Sequence, residues 1–342
     1  MSLIVLATLL AATQPTEYVS CANERRWLAG TARGNICSLA SSPQELRGWQ
    51  LAIEYASRRC GPFHAAAPDL CNANGSSRVV AHPHTHTHGG ALSRFEHADG
   101  TRTFIEPLTG IGTHPFFNTG CNLSATGFGG GTRPERGDLS HLIPANNCDA
   151  PDSKPRRALL YDLGCSVYGG SPHCSRRERR GIGVCAGIET GYGPSIPALL
   201  GIYRQRACLE FDTIYGWEAR ELPGNAWWAG VPAETMTRLH FYNTPVVPEL
   251  FAQHLRLSAR REDFVVIKLD IDNTPVEMQI IDVIRNMSDL VDEFYFEYHY
   301  YYDGLNFGWG KLEEERNTHN ADSALRLMSE LRRAGIRAHF WY

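Results

Sequence analysis

The chain reads as an α/β protein built on a doubly wound, mostly parallel sheet, and three observations predict this fold. From about Arg157 to Tyr342, short apolar runs alternate with segments of helical spacing, the pattern of repeated βαβ units. Six runs have strand length: Ala158 to Leu163, Thr213 to Trp217, Arg238 to Tyr242, Phe264 to Leu269, Glu293 to Tyr298 and Ile336 to Trp341. Acidic residues and a tight Gly turn gather where these runs close, and doubly wound sheets bind ligands at the carboxyl ends of their strands. Between the runs, Val276, Ile280, Val283, Ile284 and Met287 recur at helical spacing, as do Ala324, Leu327, Met328 and Leu331.

Composition allows a large core and excludes some partners. The 342 residues are 43% hydrophobic and 20% charged, which is globular rather than disordered. With 33 Lys and Arg against 37 Asp and Glu, the chain lacks the basic face of a general nucleic-acid binder. The short run Arg176, Arg177, Arg179 and Arg180 reads as a solvated loop.

Ahead of the α/β domain (156–342), the sequence divides in two. Leu3 to Ala12 has the length of a signal-peptide core, and Ser20 before Cys21 is a small-residue cleavage context. Residues 1–20 therefore read as a signal peptide or anchor, and no other run approaches the roughly 20 apolar residues of a membrane span. Residues 21–155 are loop-rich, with breakers such as Asn74-Gly75 and Gly129-Gly130-Gly131 and with local helices expected around Pro43 to Arg59 and Asp138 to Ile143.

Eight cysteines (Cys21, Cys37, Cys60, Cys71, Cys121, Cys148, Cys174 and Cys185) lie in polar, breaker-rich stretches and read as disulfides of an oxidising compartment, the secretory pathway. Cys165 and Cys208 fit buried thiols instead. The alternating histidines of His82 to His88 suit an exposed loop, or a zinc or copper site on an extended strand.

The strand ends carry the candidate chemistry. The first run closes on Asp162-Leu163-Gly164-Cys165, where a Gly turn lets backbone amides approach a ligand beside a carboxylate. The second closes on Glu218, where nucleoside-binding sheets place a carboxylate on the ribose hydroxyls. In the fourth, Lys268, Asp270 and Asp272 share one side of the strand, and buried charge of this kind is costly unless paired or functional. Thr274-Pro275-Val276-Glu277 reads as a capping box. In the fifth run Glu293, Glu297 and His299 alternate, and His299 has the chemistry of a general base or metal ligand. Asp270, Asp272, Glu297 and His299 together suit a hard divalent cation.

These residues resemble the FkbM-type methyltransferases and a eukaryotic subgroup related to them. The likeness rests on Tyr161-Asp162-Leu163-Gly164, Trp217-Glu218-Ala219, His240 to Pro245, Lys268-Leu269-Asp270-Ile271-Asp272, Asp292 to His299 and Gly335 to His339. The Gly loop, Gly164 to Gly169, is one residue longer than the usual family spacing, and Asp272 is followed by Asn273-Thr274-Pro275.

The resemblance implies a Rossmann-like, class I methyltransferase-like sheet that uses S-adenosylmethionine to methylate hydroxyls on sugar or glycan-like acceptors. It implies that Asp162, Gly164 and Cys165 lie at the methionine end of the cofactor, with Glu218 on its ribose. Lys268 and Asp270 would border the reaction, with His299 or Asp270 as base. Two alternatives stand beside it. One is a secretory glycosyltransferase that uses Asp270-Ile271-Asp272 with a divalent metal, and the other is a non-catalytic secreted binding module on the same fold.

Overall fold

The computed structural model describes residues 17–20, 93–98, 100, 102–106, 108, 142–145, 157–168, 195–222, 224–298, 319 and 321–341. The apolar run Leu3 to Ala12, the expected helix Pro43 to Arg59, the His82 to His88 segment, the eight loop cysteines and His299 lie outside them.

Six strands form one parallel sheet: β4 (Ala158–Leu163), β5 (Thr213–Trp217), β6 (Leu239–Tyr242), β7 (Phe264–Leu269), β8 (Glu293–Phe296) and β9 (Arg337–Phe340). Their spatial order is β6-β5-β4-β7-β8-β9, so the chain winds outward from β4 to β6, crosses back and continues from β7 to β9. This is the doubly wound order, and its switch point lies between β4 and β7. All six strands fall within the expected runs.

Each face of the sheet is covered, which is why β4 and β7 are buried along their whole length. Leu159, Tyr161, Val265, Ile267 and Phe294 face α4 (Pro248–Ser258), α5 (Thr274–Asn286) and α6 (Ala321–Arg333). Leu160, Ile214, Val266 and Tyr295 share the opposite core with α1 (Ser195–Arg206) and with Trp227 of α2 (Gly224–Trp228). A short helix, α3 (Ala233–Met236), leads into β6. Each fully buried aliphatic side chain in these layers contributes about 1.5–3 kcal/mol.

Helix ends follow local chemistry. At the start of α5, the Asn273 side chain accepts a hydrogen bond from the Val276 amide and Pro275 occupies the first turn. The cap is therefore Asn273, not Thr274, and the capping box is not formed. Glu277, fully buried, accepts from the Ile271 amide at 3.0 Å and braces the turn that follows β7. At the other end of the domain, α6 stops at Gly335, whose φ is +94°. The Gly335 amide bonds the Arg332 carbonyl and the Ile336 amide bonds that of Leu331, a Schellman closure that sends the chain into β9.

The N-terminal part has order of its own. Three antiparallel strands, β1 (Glu17–Val19), β2 (Ser93–Glu96) and β3 (Arg102–Ile105), form a second sheet, so residues 17–19, within the segment read as a leader, pair with β2. Leu142 and Ile143 are buried but not helical, which corrects the helix expected over Asp138 to Ile143 in its described part. Cys208 also differs from expectation: it is exposed, has a φ of +49° and is disulfide-bonded, whereas Cys165 is a free buried thiol. No helix among the described residues is long and apolar enough to cross a membrane.

Candidate functional site

Charge collects at the carboxyl ends of β4, β7 and β8. Asp162 and Lys268 are paired neighbours on β4 and β7, on the face that packs against α1, and both are buried. Lys268 Nζ donates to the Gly164 carbonyl at 2.7 Å and lies 3.1 Å from Asp270 Oδ2 and 3.4 Å from Asp162 Oδ1. Ser195, the first residue of α1, donates to Asp162 Oδ2 at 2.5 Å. Asp162 Oδ1 is buried with no hydrogen-bond partner. Burial pushes the Asp162 carboxyl up from its ordinary range, against the pull of Lys268 and Ser195. Burial also opposes the charge on Lys268, but the Asp162 and Asp270 carboxylates overcome it and hold the ammonium above its usual value.

The turn after β4 is forced into close approach. Gly164 has a φ of +88°, and a Cβ there would sit 1.6 Å from the Asp270 carbonyl oxygen, so only glycine fits. The Gly164 and Cys165 amides both donate to the Trp217 carbonyl at 2.9 Å. They therefore tie the turn to β5 rather than face a ligand, contrary to the sequence expectation. Burial, followed by the Asp162 carboxylate, raises the Cys165 thiol well above its ordinary value, so it stays protonated and inert.

Glu218 closes β5 and is almost fully buried. Its Oε2 accepts from the Ser166 amide at 2.9 Å, and Oε1 accepts from the Arg220 amide at 2.8 Å. The Arg220 guanidinium spans both oxygens, with Nε 3.0 Å from Oε1 and one terminal nitrogen 3.3 Å from Oε2. That nitrogen also donates to Ser166 Oγ at 2.9 Å. The Arg220 side chain is 66% exposed while that of Glu218 is 7% exposed. A buried, two-oxygen acceptor is thus covered by a fork of donors that is open to solvent. A vicinal diol offers the same pair of donors.

Asp270, Asp272 and Glu297 bring one carboxylate oxygen each to within 4.8 Å of one another, a cluster of the size and hardness that holds a divalent cation. Asp272 sits in the left-handed region, at φ +54°, which turns its side chain back beside the strand end. Burial, then the charge of Asp270, pushes the Glu297 carboxyl well above its ordinary range. The structure thus unites Asp162, Gly164, Lys268, Asp270, Asp272 and Glu297, and sets Glu218 at the end of β5, next to β4.

One cluster was not legible from strand-end chemistry. Glu293, the first residue of β8, meets His339 of β9, whose other ring nitrogen faces Glu106, the residue after β3. His339 carried no role in the sequence reading because its partner Glu106 lies 233 residues away. The available signal was alternation: Glu293 and Tyr295 on β8 share a face, as do Arg337 and His339 on β9.

No family model matches the chain, and neither a curated protein nor a solved structure matches it.

Proposed function

We propose that this α/β domain is an S-adenosylmethionine-dependent methyltransferase acting on a hydroxyl of a sugar or glycan-like acceptor. The observation that carries the reading is Glu218, a buried carboxylate at the carboxyl end of the strand beside the switch point, whose two oxygens face a solvent-exposed fork. A ribose diol makes the same demand as the Arg220 guanidinium, and in a doubly wound sheet an acidic residue in this place suits a ribose. The carboxylates of Asp270 and Asp272 suit a cationic ligand such as this cofactor.

S-Adenosylmethionine, when bound, supplies a methyl group already activated on its sulfonium. What remains for the protein is to position the acceptor and accept its proton. Asp270, ion-paired with Lys268 and partly open to solvent, would serve as that base. Glu218 would hold the ribose, and Asp162 and Gly164 would form the floor of the methionine end. The disulfide at Cys208 supports a secretory-pathway setting.

Asp162→Ala should abolish binding of S-adenosylmethionine in titration calorimetry, and unchanged affinity would sink the cofactor assignment. A second reading, a metal-dependent glycosyltransferase, is favoured by the close approach of Asp270, Asp272 and Glu297. A thermal-shift comparison separates the two, because only a ligand that binds the native state raises its melting temperature. Methyl transfer predicts a rise with S-adenosylmethionine. A rise only with manganese and a UDP-sugar would replace it with the second reading.

A further inference from the structure

Near the start of β8 and along β9, His339 lies fully buried between two carboxylates from distant parts of the chain. Its Nδ1 faces Glu106 Oε1, and its Nε2 lies 2.6 Å from Glu293 Oε1. A neutral imidazole has one N–H, so it would satisfy one of these oxygens and turn a lone pair toward the other. Only the imidazolium donates to both.

The same carboxylates hold a third segment. The Ile143 amide donates to Glu106 Oε2 at 3.1 Å, and the Ala145 amide donates to Glu293 at 3.1 and 3.2 Å. Arg337 donates to the Ile143 carbonyl at 2.7 Å, and Arg206 of α1 to the Leu142 carbonyl at 3.1 Å. The other groups around the imidazole come from each packed element. From α1, Tyr203 donates to Glu293 Oε2 at 2.6 Å and pairs with the Tyr295 hydroxyl at 3.0 Å. From β8, the Tyr295 ring stacks on His339 at 4.5 Å. From α6, Arg332 donates to the Glu106 carbonyl at 3.0 Å. Arg337 Nε lies 3.4 Å from Glu293 Oε1.

The imidazole thus sits directly between the Glu106 and Glu293 carboxylates, with the Arg337 and Arg332 guanidinium groups at the edge of the cluster. Loss of the His339 proton removes the cation between two buried carboxylates and breaks a hydrogen bond, both costly.

We propose that His339 is a pH-sensitive lock: protonated, it fastens residues 142–145 and the end of β3 onto β8 and β9, and its deprotonation releases them while the six-stranded sheet stays folded. The sign is consistent. Burial opposes the charge on His339, but Glu106 and Glu293 outweigh it and hold the imidazolium above its ordinary value. A group raised in this way contributes fully below its unfolded pKa, and the contribution is lost as pH rises through the folded one.

Hydrogen–deuterium exchange on the full chain, corrected for intrinsic rates, tests this across the pH range from about 6 upward. Protection of the Ile143 and Ala145 amides should fall about tenfold or more as His339 titrates, while β4 and β7 keep theirs. In Glu106→Gln the side-chain amide can donate to a neutral imidazole, so protection should lose its pH dependence. Protection in the wild-type chain that ignores pH, or that collapses together with β4 and β7, would overturn the proposal. Should the variant not fold, the nitrogen shifts of the His339 ring in the wild-type protein decide it: a neutral ring at pH 6 is equally fatal.

Discussion

Two charge clusters, one buried and one reaching the surface, lie on the same face of one sheet, and they are built differently. Around His339 carboxylates alternate with cationic side chains, and the carboxylate oxygens also take the amides of Ile143 and Ala145 and the hydroxyl of Tyr203. At the strand ends, Asp162, Asp270, Asp272 and Glu297 gather near Lys268, with Arg220 near the margin. Asp162 Oδ1 is left without a hydrogen bond, and burial together with Asp270 raises the Glu297 carboxyl well above its ordinary range. A network that ties backbone from three parts of the chain fixes shape. The carboxylates at the carboxyl ends of the strands, where doubly wound sheets bind ligands, tie no such distant segments together, and the proposed site lies among them.

The sharpest way to break this contrast is to remove the central cation of each cluster. Lys268→Met leaves Asp162 fully buried with the Ser195 hydroxyl still donating to its Oδ2, and loss of one partner of a buried pair costs about 3–5 kcal/mol. Because Asp162 can escape by taking a proton, the loss should shrink toward acid pH. Arg337→Met should cost less, since Glu293 keeps His339, Tyr203 and the Ala145 amide. Urea denaturation of both variants checks the order, and an equal or reversed cost would mean that the two clusters are not built on different principles.

A smaller effect is expected from Glu297→Gln. A carboxyl whose pKa is raised by folding contributes fully below its unfolded value and loses that contribution as pH rises through the folded one. Glutamine mimics the protonated form at every pH. The variant should therefore match the wild type near pH 4 and exceed it in stability near pH 8. A constant difference at both pH values would show that Glu297 does not titrate as its surroundings demand.

How much of this was legible in the sequence depends on range. The six strands and the helices α5 and α6 were readable because alternation and 3.6-residue spacing are local signals, and Asp162, Lys268 and Asp270 were readable because unpaired charge inside an apolar strand is locally anomalous. Glu277 was misread through a local pattern that competed with the true cap, Asn273, one position earlier. The amides of Gly164 and Cys165 were expected to face a ligand, and the register with Trp217 that engages them is a property of the assembled sheet. His339 and Glu106 were invisible as a pair for the same reason.

The mildest perturbation bears most directly on function. Arg220 is largely exposed, and Glu218 beneath it keeps two backbone amide donors and gains solvent when the guanidinium goes, so Arg220→Ala should destabilise the fold less than Lys268→Met. Its consequence should appear in binding instead. Glu218 would keep the amides of Ser166 and residue 220 but lose the guanidinium fork, and one oxygen pair would be exposed to whatever diol the site takes. If that ligand is the ribose of S-adenosylmethionine, the variant should bind it more tightly by calorimetry, because no ion pair has to be broken first. Weaker binding would mean that Arg220 itself contacts the ligand, as an anionic phosphate would require, and would move the reading toward the nucleotide-sugar alternative.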